Sequence, residues 1–278
     1  MTSTNKPIVI LGGGGKTGGR LAERLEKLGR NYRLASRSTT PAFDWENAGA
    51  WGEAIDGAGA LYVTYYPDIG LPGGAEAVGE LARLAASKGI QRVVLLSGRG
   101  EEAAQRGEAN VQAAVQDWTI LRASWFNQNF SESFLLDGVM TGELALPAGE
   151  IPEPFVDAED IADVAVAVLT QPGHERQVYE LTGPESLRFV EVADILSDHL
   201  KRNIRFVPVP LEPFLAELAS MPLPDYVVPL MRMLFADVLD GRNAVVQDGV
   251  ARVLGRAPRS FQEYVARTAE TGVWDTGA

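Results

Sequence analysis

The sequence predicts an α/β fold: a doubly wound parallel sheet with a smaller, mainly helical C-terminal lobe. Three observations carry this expectation. Short apolar runs alternate with helical patterns through the first two-thirds of the 278 residues. A glycine-rich turn stands between the first of those runs and the first amphipathic stretch. From Arg205 onward, prolines at 208, 210, 213, 222, 224 and 229 break the chain into short helices and turns.

Taken in order, residues 8–11, 32–36, 60–65, 92–97 and 118–122 are near-continuous apolar runs, the pattern of strands buried on both faces. Between them, Leu21, Leu25 and Leu28 recur at helical spacing, as do Val78, Leu81, Ala82 and Ala85, and Gly29 and Gly89 stand where helix ends are expected. A later helix runs through Ile161, Val164, Ala165, Val168 and Leu169, begins in acidic residues 157–160 and stops at Gln171, Pro172 and Gly173. A strand at 178–181 and a helix at 189–200 follow. Tyr226, Val227, Leu230, Met231, Leu234, Phe235 and Val238 make one broad apolar stripe, expected to pack against the main domain.

Bulk properties narrow the function. The chain has no cysteine, which excludes disulfides, thiolate nucleophiles and iron–sulfur clusters, and its two histidines, His174 and His199, are too few for a familiar metal site. A formal charge of −12 opposes nucleic acid and anionic membranes, so a small molecule is the expected partner. Residues 1–6 are polar and do not read as a signal peptide, no apolar run approaches the ~18 to 20 residues that span a bilayer, and the expected location is cytoplasmic. Nothing in the sequence distinguishes a monomer from a homodimer.

Residues 8–20 read IVILGGGGKTGGR, a strand, a tight turn and a helix start. Glycines there let the backbone approach a pyrophosphate while the helix offers free N–H groups and a positive dipole end, the Rossmann-type arrangement. Two registers stand open: Gly12, Gly15 and Gly18 give GxxGxxG, whereas Gly13, Gly15 and Gly18 give GxGxxG. Gly12, Gly14, Gly15, Lys16, Thr17 and Gly18 are the candidate phosphate-holding residues. Gly15-Lys16-Thr17 resembles the end of a nucleotide-triphosphate loop, but that motif needs glycine at position 10, which is Ile10. After the second strand, Ser36-Arg37-Ser38 stands where an NAD-preferring protein places a carboxylate. A guanidinium between two hydroxyls suits a 2′-phosphate, so NADP(H) is expected over NAD(H). The expected division is an NADP(H)-binding core over residues 1–150. Residues 151–278 are then a mixed segment that returns to the core at about 155–182 and continues as a substrate lobe or lid.

With these residues in view, the chain resembles the NmrA-like family, an atypical short-chain dehydrogenase/reductase group that includes bacterial type-2 quinone oxidoreductases. The carriers are residues 12–18, 92–97 (RVVLLS), 118–122 (WTILR), 125–130 (WFNQNF), 154–165 and 178–183, in that order and spacing. The resemblance implies that Arg37 meets the 2′-phosphate, that Asp44 and Trp45 lie near the adenine, and that Tyr65, Tyr66 and Ser97 lie along the cofactor toward the nicotinamide. It also implies that Trp125, Phe126, Asn127, Asn129 and Phe130 form a substrate wall closed by the C-terminal lobe, to which Phe155 adds an aromatic surface.

The wider superfamily protonates its carbonyl substrate with a Tyr whose pKa is lowered by a Lys four residues on. No tyrosine here has that lysine, and the weak candidates for a catalytic role are Tyr65, Tyr66 and Ser97. The charges after Ser97, from Arg99 through Glu101, Glu102 and Arg106 to Glu108, read as a solvated helix face. A ketone needs a positioned acid, whereas quinones and activated enones need it less because their reduced anions are delocalised. The expected function is therefore NADP(H)-dependent hydride transfer to a small activated acceptor; the alternative is a non-catalytic NADP(H)-binding redox sensor acting through a protein partner.

Overall fold

The computed structural model describes residues 6–276; the rest of the polar segment 1–6 lies outside them. Along the chain come β1 (Ile8–Leu11), α1 (Lys16–Lys27), β2 (Tyr32–Ala35), α2 (Ala48–Ala54), β3 (Ala60–Val63), α3 (Gly74–Ser87), β4 (Arg92–Gly98), α4 (Glu102–Ala114) and β5 (Asp117–Ala123). Then follow α5 (Asn129–Glu132), α6 (Leu136–Thr141), β6 (Glu143–Leu146), α7 (Ala158–Thr170), β7 (Gln177–Leu181), α8 (Phe189–Leu200) and β8 (Arg205–Pro208). The described chain closes with α9 (Leu211–Ser220), α10 (Val227–Arg232), a π-helical turn (Met233–Val238), α11 (Gly249–Leu254) and α12 (Phe261–Ala269).

Two compact units share these elements. The first holds the chain up to Ala123, then Ala158–Leu181 and Gly249–Arg256; the second holds Ser124–Asp157, Thr182–Asp248 and the chain from Ala257. The first boundary falls at 123, not at the expected 150. The physical reason is that α5, α6 and β6 carry Phe130, Val139, Leu144 and Leu146 into the second unit's own core.

In the first unit six parallel strands stand in the order β2-β1-β3-β4-β5-β7. The crossovers after β1 and β3 run in opposite directions along the sheet, which opens a crevice at the carboxyl ends of those strands. Leu11, Leu61, Val93, Leu95 and Ile120 from the strands meet Val78, Leu81, Ala82 and Val111 from the helices in one core. Gly29 and Gly89 end α1 and α3 with φ of +61° and +77°, a conformation glycine adopts without a Cβ penalty. On the other face α1 and α7 are laced by charge: Arg20 to Glu159 at 2.7 Å, Arg24 to Glu159 at 2.6 Å and Arg24 to Asp163 at 2.5 Å.

The second unit is a lobe with an aromatic core, Trp125, Phe130, Phe155, Phe189, Phe235 and Phe261 among its buried members. It holds a two-stranded parallel sheet, β6 with β8, in the register Glu143↔Arg205 to Leu146↔Pro208. The apolar stripe at 226–238 also differs from its expected packing: Met231, Phe235 and Val238 are buried in this lobe's own core. No helix among the described residues is long and apolar enough to cross a membrane.

Candidate functional site

The glycine turn is crowded at four of its glycines. Gly12 has φ +80°, and a Cβ there would collide with Thr64 Oγ1, which donates to Leu11 O at 3.0 Å. A Cβ on Gly18 would collide with Gly12 O, and one on Gly15 would stand 3.2 Å from the same oxygen. A Cβ on Gly13 would also meet Leu34, at 2.7 Å, so Gly12, Gly13, Gly15 and Gly18 are all crowded and serve both readings, GxxGxxG and GxGxxG, while Gly14 has open space where a Cβ would stand. Gly12 N–H donates to Ala35 O and Gly15 N–H to Gly12 O. This ties the turn to β2 and aims the first turn of α1, with Lys16 and buried Thr17, toward the crevice. The N–H groups of a helix's first turn point out of its N-terminal end. A narrow turn with exposed Gly14 and Gly15 below a helix N-terminus fits a dinucleotide pyrophosphate.

Beyond β2, Ser36 Oγ and Ser38 Oγ stand 3.1 Å apart and the exposed Arg37 guanidinium lies 5.8 Å from the centre of the Tyr66 ring. Thr39 Oγ1 accepts the Ser36 N–H at 2.9 Å and closes the loop. Trp45 Nε1 donates to Thr64 O at 3.1 Å, and the Trp45 ring lies 4.8 Å from that of Tyr65. Asp44 Oδ1 accepts the Glu46 N–H and Asp44 O accepts Trp51 Nε1, which leaves Asp44 holding the local turn. The loops after β1, β2 and β3 thus bring Gly12–Gly18, Arg37, Trp45, Tyr65 and Tyr66 to one edge of the sheet.

Ser97, near the end of β4, is 3% exposed and donates to Glu108 Oε1 at 2.7 Å. Its proton is committed inward. Burial first, then the charges of Glu46 and Glu76, push the Tyr65 phenol above its ordinary pKa, the opposite of what a nearby lysine does in the wider superfamily. Tyr66 is 57% exposed.

The sequence reading of residues 99–108 as a solvated face is corrected by the structure. Arg99, Glu101 and Glu108 are buried, while Glu102 and Arg106 are exposed. Spacing explains this, since positions 101 and 108 lie two turns apart on the same helix face. Glu108 is clasped by Arg122 at 2.5 Å, and Glu180 takes Arg99 at 3.0 Å and Arg122 at 3.5 Å. This ion-pair chain was illegible because β4, β5 and β7 bring its members together. Removing Arg122 leaves Glu108, whose side chain is 2% exposed, without its clasp; Arg122→Ala is expected to lower stability by about 3 kcal/mol, read as an earlier midpoint in urea.

In the lobe, Phe126 pairs with Val156 across an isolated parallel bridge, and Trp125 and Asn127 alternate with it. The Asn127 side chain is fully buried, and among the described residues neither its Oδ1 nor its Nδ2 has a partner, nor does the buried Trp125 Nε1. Phe130 and Phe155 lie ring to ring at 5.6 Å, and Phe261 stands 5.3 Å from Phe130 and 6.0 Å from Phe155. Both are core members, 0% and 3% exposed. Trp125 packs its edge against Phe235 at 5.3 Å. Asn129 opens the short helix α5 and accepts the Leu135 N–H on its carbonyl.

The model of the NmrA-like family matches residues 108–264. The chain belongs to the NmrA-like family. It is 31% identical over 283 residues to the Bacillus subtilis protein named uncharacterized oxidoreductase YesF, covering 96% of this chain and 98% of that one. It is 28% identical over 278 residues to the NAD(P)H azoreductase of Xenophilus azovorans, covering 92% and 96%. Its fold matches the crystal structure of the Escherichia coli NADPH-dependent quinone oxidoreductase complexed with NADPH at a TM-score of 0.75 and 19% identity, covering 94% of this chain and 99% of that one.

Proposed function

We propose that this NmrA-like protein is an NADP(H)-dependent oxidoreductase that delivers hydride to a small activated acceptor, a quinone, an enone or a related carbonyl metabolite, without a Tyr–Lys pair. The oxidoreductase class is supported by the relatives, two of which are named as oxidoreductase and NAD(P)H azoreductase. The observation that carries the cofactor preference is the loop after β2: Arg37 flanked by two hydroxyls 3.1 Å apart, with no carboxylate at the strand end. A carboxylate there would repel a 2′-phosphate; a guanidinium attracts it.

Gly12, Gly15 and Gly18 with the first turn of α1 hold the pyrophosphate, Arg37 with Ser36 and Ser38 holds the 2′-phosphate, and Trp45 and Tyr65 flank the nucleoside. The bound dihydronicotinamide supplies the hydride. The protein's task is then to orient the acceptor and exclude water. The absence of a lysine four residues after any tyrosine favours acceptors whose reduced anion is delocalised.

The test is NADPH oxidation, followed by loss of nicotinamide absorbance, against matched quinones, enones and unactivated ketones. Turnover with the first two and not the third is the expected result. Equal rates with simple ketones contradict the acceptor class, and tight NADPH binding with no turnover on any member contradicts the enzymatic reading in favour of a sensor.

A further inference from the structure

The segment after β3 presents two neighbouring tyrosines in different settings. Tyr65 is half-buried, its ring 4.8 Å from that of Trp45. Tyr66 is 57% exposed, and the Arg37 guanidinium stands over its ring, 5.8 Å from the centre. The backbone that carries both tyrosines is anchored on either side. Before them, Thr64 donates from Oγ1 to Leu11 O at 3.0 Å and accepts Trp45 Nε1 on its carbonyl at 3.1 Å. After them, Asp68 accepts the Gly70 N–H on Oδ1 at 2.8 Å and the Leu71 N–H on its carbonyl at 3.2 Å. The Tyr66 ring thus stands on a fixed segment, whereas the guanidinium rides on a long, rotatable stem.

An exposed arginine loses rotamer freedom when it closes on a phosphate, and that loss weakens binding. A ring face that already holds the guanidinium removes part of the cost before the nucleotide arrives. The attraction between ring and cation also strengthens when a bound nucleotide strips water from the pair. The two serines beside Arg37 are set by their own loop: Ser36 Oγ accepts the Ser38 N–H at 3.3 Å, and Thr39 Oγ1 accepts the Ser36 N–H at 2.9 Å. Arg37 takes its hold from a different loop, through Tyr66. Among the described residues no carboxylate pairs with Arg37, so its charge stays available to an anion.

We propose that Tyr66 is a positioning residue for cofactor choice: its ring holds Arg37 where the 2′-phosphate of NADP(H) docks and so raises the preference for NADP(H) over NAD(H). This rests on Arg37 meeting the 2′-phosphate. It sets Tyr66 at the 2′ end of the dinucleotide rather than at the nicotinamide, and it makes the ring face, not the phenol hydroxyl, the working group.

Binding titrations of Tyr66→Ala, Tyr66→Phe, Arg37→Ala and the variant that combines Tyr66→Ala with Arg37→Ala test this. Three probes are used: NADPH, NADH, and adenosine 2′,5′-bisphosphate, which carries the 2′-phosphate without a nicotinamide. Tyr66→Ala should weaken NADPH and the bisphosphate about 3- to 10-fold, the range of a cation–π contact that becomes shielded from water, and leave NADH within about twofold. Tyr66→Phe should bind all three as the wild type does, because a phenyl face attracts a cation much as a phenol face does. In the Arg37→Ala background, loss of the Tyr66 ring should cost nothing more, the mark of a residue that acts through another. Because Tyr66 is exposed, the urea midpoint of Tyr66→Ala should match that of the wild type.

Equal losses of NADPH and NADH in Tyr66→Ala overturn the positioning role, since the ring then meets a part of the dinucleotide that both share. A loss that persists in the Arg37→Ala background overturns it as well. A loss of NADPH without a loss of the bisphosphate returns Tyr66 to the nicotinamide end, and a Tyr66→Phe defect as large as that of Tyr66→Ala transfers the role to the hydroxyl. The two readings fail separately. If Arg37→Ala leaves the ratio of NADPH to NADH affinity unchanged, the assignment of Arg37 falls and the role of Tyr66 with it. If Arg37→Ala collapses that ratio while Tyr66→Ala leaves it intact, the role of Tyr66 falls by itself.

Discussion

Arg37→Glu weakens NADPH binding about 100-fold or more and leaves NADH within a few-fold, as read by fluorescence titration of each nucleotide. The magnitude follows from the charges. An arginine on a phosphate makes charge-assisted hydrogen bonds each worth about 1.5 to 3 kcal/mol, and a carboxylate in their place adds repulsion of a dianion. About 2.7 kcal/mol already amounts to 100-fold. Because Arg37 is exposed and its ring contact is with exposed Tyr66, the substitution leaves the core untouched. NADPH and NADH differ only at the 2′ position, so the ratio of their affinities isolates the loop after β2 from every other contact. An unchanged ratio removes Arg37 from the 2′-phosphate.

Gly15→Val abolishes dinucleotide binding of both kinds while the protein still unfolds cooperatively. Gly15 caps α1 with φ −85° and ψ 174°, extended backbone that valine adopts readily. Its Cβ would stand 3.2 Å from Gly12 O, a clearance the turn reaches by a shift of a few tenths of an ångström. The two added methyl groups then stand beside the first turn of α1, the proposed pyrophosphate site, and a loss beyond about 100-fold is expected because phosphate and backbone would no longer reach hydrogen-bond distance. Gly18 makes a poorer test, since a Cβ there meets Gly12 backbone and perturbs the fold. Normal affinity in a folded Gly15→Val protein would place the pyrophosphate elsewhere.

Much of the first unit is legible from sequence for a plain reason. Parallel strands covered on both faces, such as β1 (IVIL) and β3 (ALYV), must be apolar at nearly every position. The amphipathic stripes of α1 and α7 follow from packing one face on the sheet, and the glycine turn follows from the close approach of Gly12 and Gly18. The lobe is less legible. β6 and β8 are four residues each, separated by about sixty residues, and β8 is only partly buried and ends in proline, so no alternation marks it. The boundary at Ala123 was hidden because residues 124–157 keep an apolar character while changing core.

Within the site, single-residue types were readable and partnerships were not. Arg37 and the glycines announce themselves by position after a strand. Glu101 and Glu108 look like any surface glutamates, and only the register of β4 with β5, Ser97↔Arg122, reveals that Glu108 is clasped beneath the sheet edge.

The most direct test of the account is a side-by-side titration of the wild-type protein with NADPH and with NADH, by calorimetry at fixed ionic strength. The predicted result is saturable one-site binding of NADPH, markedly tighter than NADH. Equal affinities, or no heat with either nucleotide, would contradict it.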